Sequence, residues 1–245
     1  MDIQKAYQRA VTALELRKYN FAISQAKEIL SHNPNIDYAY ALLAQAYYGL
    51  SNYTEADTCI QKALQSNPTD VDYLCWYCGI LNAQEKYQEA LEISDEALTI
   101  EPTNTTVMYF RGLALHNMGK QERAEDVTKY LLKKDPNENC NHRLLANIYA
   151  EKMQLEDADF EFQKALELDP NNAATYNDYA VMKIDKEKNK EDEAIEMLQE
   201  SLYLNPENKI VQDNLEYVRK KKFLVVKEIV ILLCHIFLFS GYIYY

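Results

Sequence analysis

The spacing of the prolines constrains this chain more than any other feature of its sequence. The six prolines are Pro34, Pro68, Pro102, Pro136, Pro170 and Pro206. The first five follow one another every 34 residues, and the last gap is 36. A fixed period of this length indicates tandem structural repeats that bury their apolar faces against one another. The proline register divides the chain into six blocks, residues 3–36, 37–70, 71–104, 105–138, 139–172 and 173–208.

Two positions inside the blocks are held by small residues. The eighth position is occupied by Ala10, Ala44, Cys78, Gly112, Ala146 and Ala180. The twentieth is occupied by Ala22, Ala56, Ala90, Ala124 and Ala158, with Ala194 as its shifted counterpart in the last block. Small side chains let two helices cross closely. The pattern therefore predicts a pair of packed helices in every block.

The ends of the blocks indicate where these helices stop. Each block ends in a run such as Ala63 to Pro68, and a proline disfavours helical geometry in the residue before it. Turns within the blocks are predicted near Asn52, Glu85, Gly119 and Gln154. The chain is rich in helix-forming residues and has only five glycines. Each block is therefore predicted to fold as a helix, a tight turn, a second helix and a short loop.

The blocks resemble tetratricopeptide repeats. The fifth block matches that pattern with Leu145, Ala146, Tyr149, Ala158, Phe162, Ala165 and Pro170 at the expected offsets. The first block departs from it at Ala6 and Arg9, and the fourth at Arg111 and Leu131. The resemblance covers residues 1–208, about 85% of the chain. It implies an all-α fold, an α-solenoid formed as a superhelix of six antiparallel helical hairpins.

The residues after the sixth block change in character. Residues 209–222 are predicted to form a capping helix, which solenoids need at their exposed ends. From Ile229 to Tyr245 the chain has no Asp, Glu, Lys or Arg. That run would make ~26 Å of helix, and counting from Phe223 gives enough length to cross a bilayer. We expect residues 223–245 to be an apolar C-terminal transmembrane anchor on a cytoplasmic solenoid. The alternatives are a soluble cytoplasmic protein with a buried or oligomerising helix, and a truncated larger protein.

The composition argues against several kinds of chemistry. A net charge of −12 disfavours nucleic acid, because phosphate binding requires a basic surface. Cys75 and Cys78 have the spacing of a metal or redox motif, but no second pair completes a zinc site. The four histidines lie at different block positions, and no phosphate-binding loop or nucleophile–base constellation is present. We therefore expect no catalytic, cofactor-binding or metal-binding residues and no enzymatic activity.

The resemblance implies that a partner binds in a concave groove lined by the first helix of each repeat. Carried onto this sequence, the groove positions are Tyr7, Tyr38, Gln45, Tyr48, Asn82, Tyr109, His116, Asn117, Arg143, Asn147 and Asn177. Such a surface is aromatic and rich in amides, and it suits a protein or peptide segment. Some members of the family clamp a partner's terminal carboxylate. Arg143 and Asn147 match one repeat of that clamp, but Asp178 stands where an amide is needed, which argues against it.

The sequence therefore predicts a non-enzymatic scaffold or adaptor that binds a partner protein and is anchored by its tail. Two alternatives stay open. One is a soluble assembly factor or chaperone-like repeat protein whose apolar tail is buried or dimerises. The other is a regulatory fragment of a larger enzyme or sensor.

Overall fold

The structure of this chain is a computed structural model that describes residues 2–187 and 190–240, with side chains as far as Leu224. Throughout these ranges the regular secondary structure is helical, and the predicted all-α fold is confirmed. The helices form two units, Met1–Lys134 and Asp135–Tyr245.

Unit 1 consists of four helical hairpins, in which each first helix packs against the helix that follows it. The first helix of each hairpin has 13 residues and the second has 14. In chain order the helices are α1 (Ile3–Glu15), α2 (Tyr19–His32), α3 (Asp37–Gly49), α4 (Tyr53–Ser66), α5 (Val71–Ala83), α6 (Tyr87–Ile100), α7 (Thr105–Asn117) and α8 (Gln121–Lys134).

Unit 2 contains two further hairpins and one long helix. Its helices are α9 (Asn139–Glu151), α10 (Leu155–Leu168), α11 (Ala173–Lys186), α12 (Glu191–Leu204) and α13 (Lys209–Ser240). The start of α13 packs on α12 and α11 through Val211, Leu215 and Val218, all of which are buried. This part of α13 covers the end of the last hairpin.

The small residues of the repeat lie where the helices of a hairpin cross. The alanines of the eighth and twentieth block positions are all at most 1% exposed, and Cys78 and Gly112 are also buried. In the third hairpin the Cys78 thiol donates to the Ala90 carbonyl across 3.7 Å, which brings the two small residues together. A larger side chain at either position would push α5 and α6 apart.

The turns inside the first five hairpins share one backbone geometry. In each of them a single residue has a left-handed conformation, with φ between 55° and 73°; these residues are Arg17, Ser51, Glu85, Gly119 and Met153. The next residue donates its N–H to a carbonyl five residues earlier, as Lys86 does to Leu81 at 2.9 Å. This pattern closes the C-terminus of a helix. Only Gly119 adopts the conformation without steric cost.

The predicted membrane anchor, residues 223–245, falls almost wholly outside the residues whose side chains are described. Among the residues that the structure describes, no helix combines the length and the apolar character needed to cross a bilayer. The anchor stays a prediction from the sequence.

Candidate functional site

The residues predicted to bind a partner lie on the first helices of the hairpins. In unit 1 these helices are neighbours, because α1 contacts α3, α3 contacts α5, and α5 contacts α7. In unit 2, α11 contacts both α9 and α13. Each unit therefore presents a surface built from adjacent first helices, and the predicted residues form two sets, one in each unit.

Aromatic ring contacts join α1 to α3 and α3 to α5 in unit 1. Tyr7 of α1 meets Tyr38 of α3 edge to face, with ring centroids 5.2 Å apart and an angle of 81° between the planes. Tyr48 of α3 meets Trp76 of α5 in the same way at 5.9 Å. With Tyr109 of α7, these residues form the aromatic row of unit 1, and all are half-buried. Trp76 was not among the predicted site residues, although it is the only tryptophan in the chain.

Asn82 joins two of these helices. It is buried, and its Nδ2 donates to the carbonyl of Cys78 at 2.9 Å and to that of Phe110 at 3.2 Å. The approach of α5 to α7 depends on Gly79, since a Cβ there would lie 2.9 Å from the Phe110 ring. Tyr109 lies beside Phe110, with ring centroids 5.5 Å apart. Asn82 thus fixes the part of α7 that presents Tyr109.

The other predicted residues of unit 1 differ in their surroundings. The His116 Nδ1 lies 2.9 Å from Gln121 Oε1, and Gln121 Nε2 donates to the His116 carbonyl, so this histidine is tied to α8. Gln45 is half-buried on α3, and Asn117 is exposed at the end of α7. Of these three side chains, His116 has the most restricted position.

In unit 2 the predicted residues converge on Asp178. Its Oδ2 accepts hydrogen bonds from Arg143 Nη1 at 3.0 Å and from Asn147 Nδ2 at 3.1 Å. Its Oδ1 accepts one from Asn177 at 3.3 Å, and Asn214 of α13 donates to Asn177 at 3.0 Å. We call these five residues the polar row of unit 2; its two members missed by the sequence prediction are Asp178 and Asn214.

The contacts of Asp178 bear on the carboxylate clamp, against which the sequence argues. The Asp178 carboxylate accepts hydrogen bonds from one donor atom of each of these two residues, Arg143 Nη1 and Asn147 Nδ2. A second carboxylate at this place would meet a like charge rather than a free cation.

The Cys75–Cys78 pair has the electrostatics of a packed core rather than of a reactive site. Burial raises the pKa of the Cys78 thiol to about 12 and that of Cys75 to about 11. Thiolates bind metals and attack disulfides, and neither group is ionised near neutral pH. Over the described ranges, no group of three or more His, Cys, Asp or Glu residues is arranged to hold a metal ion.

Comparison with known families agrees with this geometry. Residues 9–110 match the model of the Psidin N-terminal TPR repeats region, and residues 144–172 and 161–196 match models of the tetratricopeptide repeat. A thermophilic TPR protein of Thermus thermophilus superposes with a TM-score of 0.65 at 20% identity, over 74% of this chain and 99% of that one. The chain is a tetratricopeptide repeat protein. The predicted α-solenoid class is confirmed by the same likeness.

Curated relatives of this tetratricopeptide repeat protein are distant. Cell division cycle protein 27 homolog A of Arabidopsis thaliana is 28% identical over 44% of this chain. A DnaJ homolog subfamily C member 7 homolog of Schizosaccharomyces pombe is 22% identical over 68% of the chain. The matches cover 15% and 41% of those proteins, so the chain corresponds to part of each relative. Tetratricopeptide repeats bind protein or peptide partners.

Proposed function

We propose that this chain is a non-enzymatic scaffold that binds a segment of a partner protein on its first helices. The observation that supports the proposal is the aromatic row of unit 1, whose half-buried rings come from four adjacent helices and make ring contacts from α1 to α3 and from α3 to α5. Tyrosine and tryptophan offer a large contact area at a low cost in side-chain entropy, and they dominate binding energy at interfaces.

The rigidity of this surface supports a role in binding. The ring pairs Tyr7–Tyr38 and Tyr48–Trp76 each span two helices, and Asn82 ties α5 to the backbone of α7. Side chains that are already held in place lose little freedom when a partner binds. The uncharged character of the aromatic row predicts a segment with apolar side chains rather than a highly charged one.

The experiment places a photo-crosslinking amino acid at position 109 and, as a control, at the exposed position of Glu89 on α6. We expect a crosslinked partner from position 109 and none from position 89. In the same cells, Tyr109→Ala should lower recovery of that partner at least about tenfold, as truncation of a central interface tyrosine does.

A matched variant separates binding from folding. Tyr77 is also a half-buried tyrosine on a first helix, but its hydroxyl accepts a hydrogen bond from Gln61 of α4 at 3.3 Å. Tyr77→Ala should therefore lower the melting temperature and leave partner recovery intact. If Tyr77→Ala abolishes recovery and Tyr109→Ala does not, the partner does not bind on the aromatic row.

Attachment to a membrane through residues 223–245 is a separate proposal, and it rests on the apolar, charge-free sequence after Glu228. We expect the full chain to sediment with membranes and to resist carbonate extraction. Full-length protein that stays in the soluble fraction without detergent would refute the anchor and leave the binding proposal unchanged.

A further inference from the structure

His142 of α9 binds the carbonyl group of a repeat proline through one of its ring nitrogens. Its Nε2 lies 2.9 Å from the carbonyl oxygen of Pro136, six residues earlier in the chain. A carbonyl oxygen can only accept, so Nε2 must carry a hydrogen to make this contact. The same contact is made over the same six-residue spacing by the Tyr40 hydroxyl to Pro34, at 3.1 Å, and by Gln212 Nε2 to Pro206, at 2.8 Å.

The other ring nitrogen of His142 meets an acidic group. Its Nδ1 lies 2.5 Å from Oε2 of Glu161 on α10. Two lone pairs do not approach this closely, so a proton lies between the two atoms, bonded either to the ring or to the carboxyl group. With a hydrogen on Nε2 as well, the His142–Glu161 pair holds one proton more than a neutral ring and a carboxylate do together.

Loss of that extra proton changes which partner the ring can bind. A neutral imidazole has a single N–H, and a carboxylate attracts it more strongly than a backbone carbonyl does, because charge strengthens the hydrogen bond. The remaining hydrogen then lies on Nδ1, and Nε2 becomes an acceptor that faces the Pro136 carbonyl, another acceptor. Because His142 is only 8% exposed, water can replace the lost bond only if the loop moves.

Other charged side chains near the ring are turned to different partners. On α9 itself, Arg143 binds Asp178 of α11 at 3.0 Å. In the loop before α9, Glu138 and Asp135 accept hydrogen bonds from backbone N–H groups two residues further along the chain, at 3.4 and 3.0 Å. Of the described residues, Glu161 is therefore the one whose charge meets a ring nitrogen of His142.

We propose that His142 is a pH-dependent switch for the loop that contains Pro136. While the pair holds its extra proton, the ring binds both Glu161 and the Pro136 carbonyl and orders the start of α9. When the proton leaves, the ring keeps Glu161 and releases the loop. Because the folded state binds the extra proton, this stabilisation is present at low pH and is lost as the pH rises. Histidine is the side chain that ordinarily changes its charge between pH 5 and 8.

The test is amide hydrogen exchange of the full chain in a mild detergent at pH 6 and pH 8, corrected for the intrinsic pH dependence of exchange. The amides of Asn141 and His142 donate to the Glu138 carbonyl in the first turn of α9. Their protection should be about fivefold lower at pH 8, as the loss of one hydrogen bond implies. The amides of Tyr40 and Gln212 are controls in the same molecule, because tyrosine and glutamine do not ordinarily change protonation over this range.

Two variants should remove the pH dependence and keep the bond to the Pro136 carbonyl. In His142→Gln, the amide donates to this carbonyl at both pH values, as Gln212 does in its own loop. In Glu161→Gln, the amide donates to Nδ1 of a neutral ring, which leaves the hydrogen on Nε2 for the carbonyl. In both variants, the protection of the Asn141 amide should be the same at pH 6 and pH 8.

A parent whose protection is equal at the two pH values overturns the proposal. So does a fall in His142→Gln or Glu161→Gln as large as that in the parent, because the pH dependence would then come from another group. Nitrogen-15 NMR of the imidazole ring at pH 8 checks the mechanism directly. The hydrogen should lie on Nδ1 in the parent and on Nε2 in Glu161→Gln, and a hydrogen on Nε2 in both proteins would refute the switch.

Discussion

Lys183 carries the sharpest test of how unit 2 is stabilised. Its residue is only 6% exposed, and its Nζ lies 2.5 Å from Asp159 Oδ1 and 2.9 Å from Glu187 Oε1. The Tyr179 hydroxyl also donates to Asp159, and the Tyr179 ring stacks on Phe162 with centroids 4.8 Å apart. The Lys183 ammonium of α11 thus binds both Asp159 of α10 and Glu187, the residue that follows α11.

Replacing Lys183 by Met keeps an unbranched side chain that is one atom shorter, and it removes the charge. Asp159 and Glu187 then lose their shared cation, although Asp159 keeps the Tyr179 hydroxyl. Removing one partner of a fully buried pair costs about 3–5 kcal/mol, but Asp159 is partly exposed and can regain water. We therefore expect Lys183→Met to lower the free energy of unfolding of unit 2 by about 2–3 kcal/mol at pH 7.

The loss should depend on pH in a direction that follows from Asp159. Burial alone would raise the pKa of Asp159, but the hydrogen bonds from Lys183 and Tyr179 outweigh it and hold the pKa below its usual value. A carboxyl group whose pKa is lowered by folding stabilises the folded state above its unfolded pKa, about 3.9, and less as the pH falls. In Lys183→Met the stabilising contribution of Asp159 is reduced. The difference in the free energy of unfolding between the parent and the variant should therefore be smaller at pH 4 than at pH 7.

The assay is urea denaturation followed by circular dichroism at both pH values. Lys164→Met is the matched control, because Lys164 forms an i,i+3 pair with Glu167 at 3.0 Å while its side chain is 40% exposed. That change should cost less than about 0.5 kcal/mol. If Lys183→Met costs no more than the control, or costs the same at pH 4 as at pH 7, the cluster does not stabilise unit 2 electrostatically.

Two further predictions concern the repeat itself. Ala90→Leu should cost about 1–3 kcal/mol, because Ala90 is 1% exposed and lies against Cys78 at the crossing of α5 and α6, whereas Glu89→Leu on the exposed side should be nearly neutral. Equal melting temperatures for these two variants would contradict the packing argument. Gly119→Ala should cost about 1 kcal/mol from backbone strain alone, because its φ is 73° and a Cβ would meet no atom within 4 Å. Gly119→Asn should cost less, because asparagine tolerates the left-handed conformation, and the opposite order would refute this origin of the cost.

The sequence by itself determined the class of fold. A 34-residue period indicates that every block folds in the same way. The small residues at two fixed positions indicate where the two helices of each block cross. The structure buries the small residues of all six blocks, Ala44 and Ala56 among them. This prediction succeeded because repeat packing is local, so the contacts that decide it lie within one block or between neighbours.

The tertiary structure decided how the predicted site residues are used. The resemblance to the repeat family assigned Asn82 and Tyr109 to one groove, but only the packing of α5 on α7 shows that Asn82 donates a hydrogen bond to the Phe110 carbonyl. Asp178 likewise takes its role from Arg143 and Asn147, which are more than 30 residues away along the chain. A repeat register gives the helix and the face on which a residue lies. It does not give the hydrogen-bond partner of a polar side chain, because that depends on distances of a few tenths of an ångström between helices.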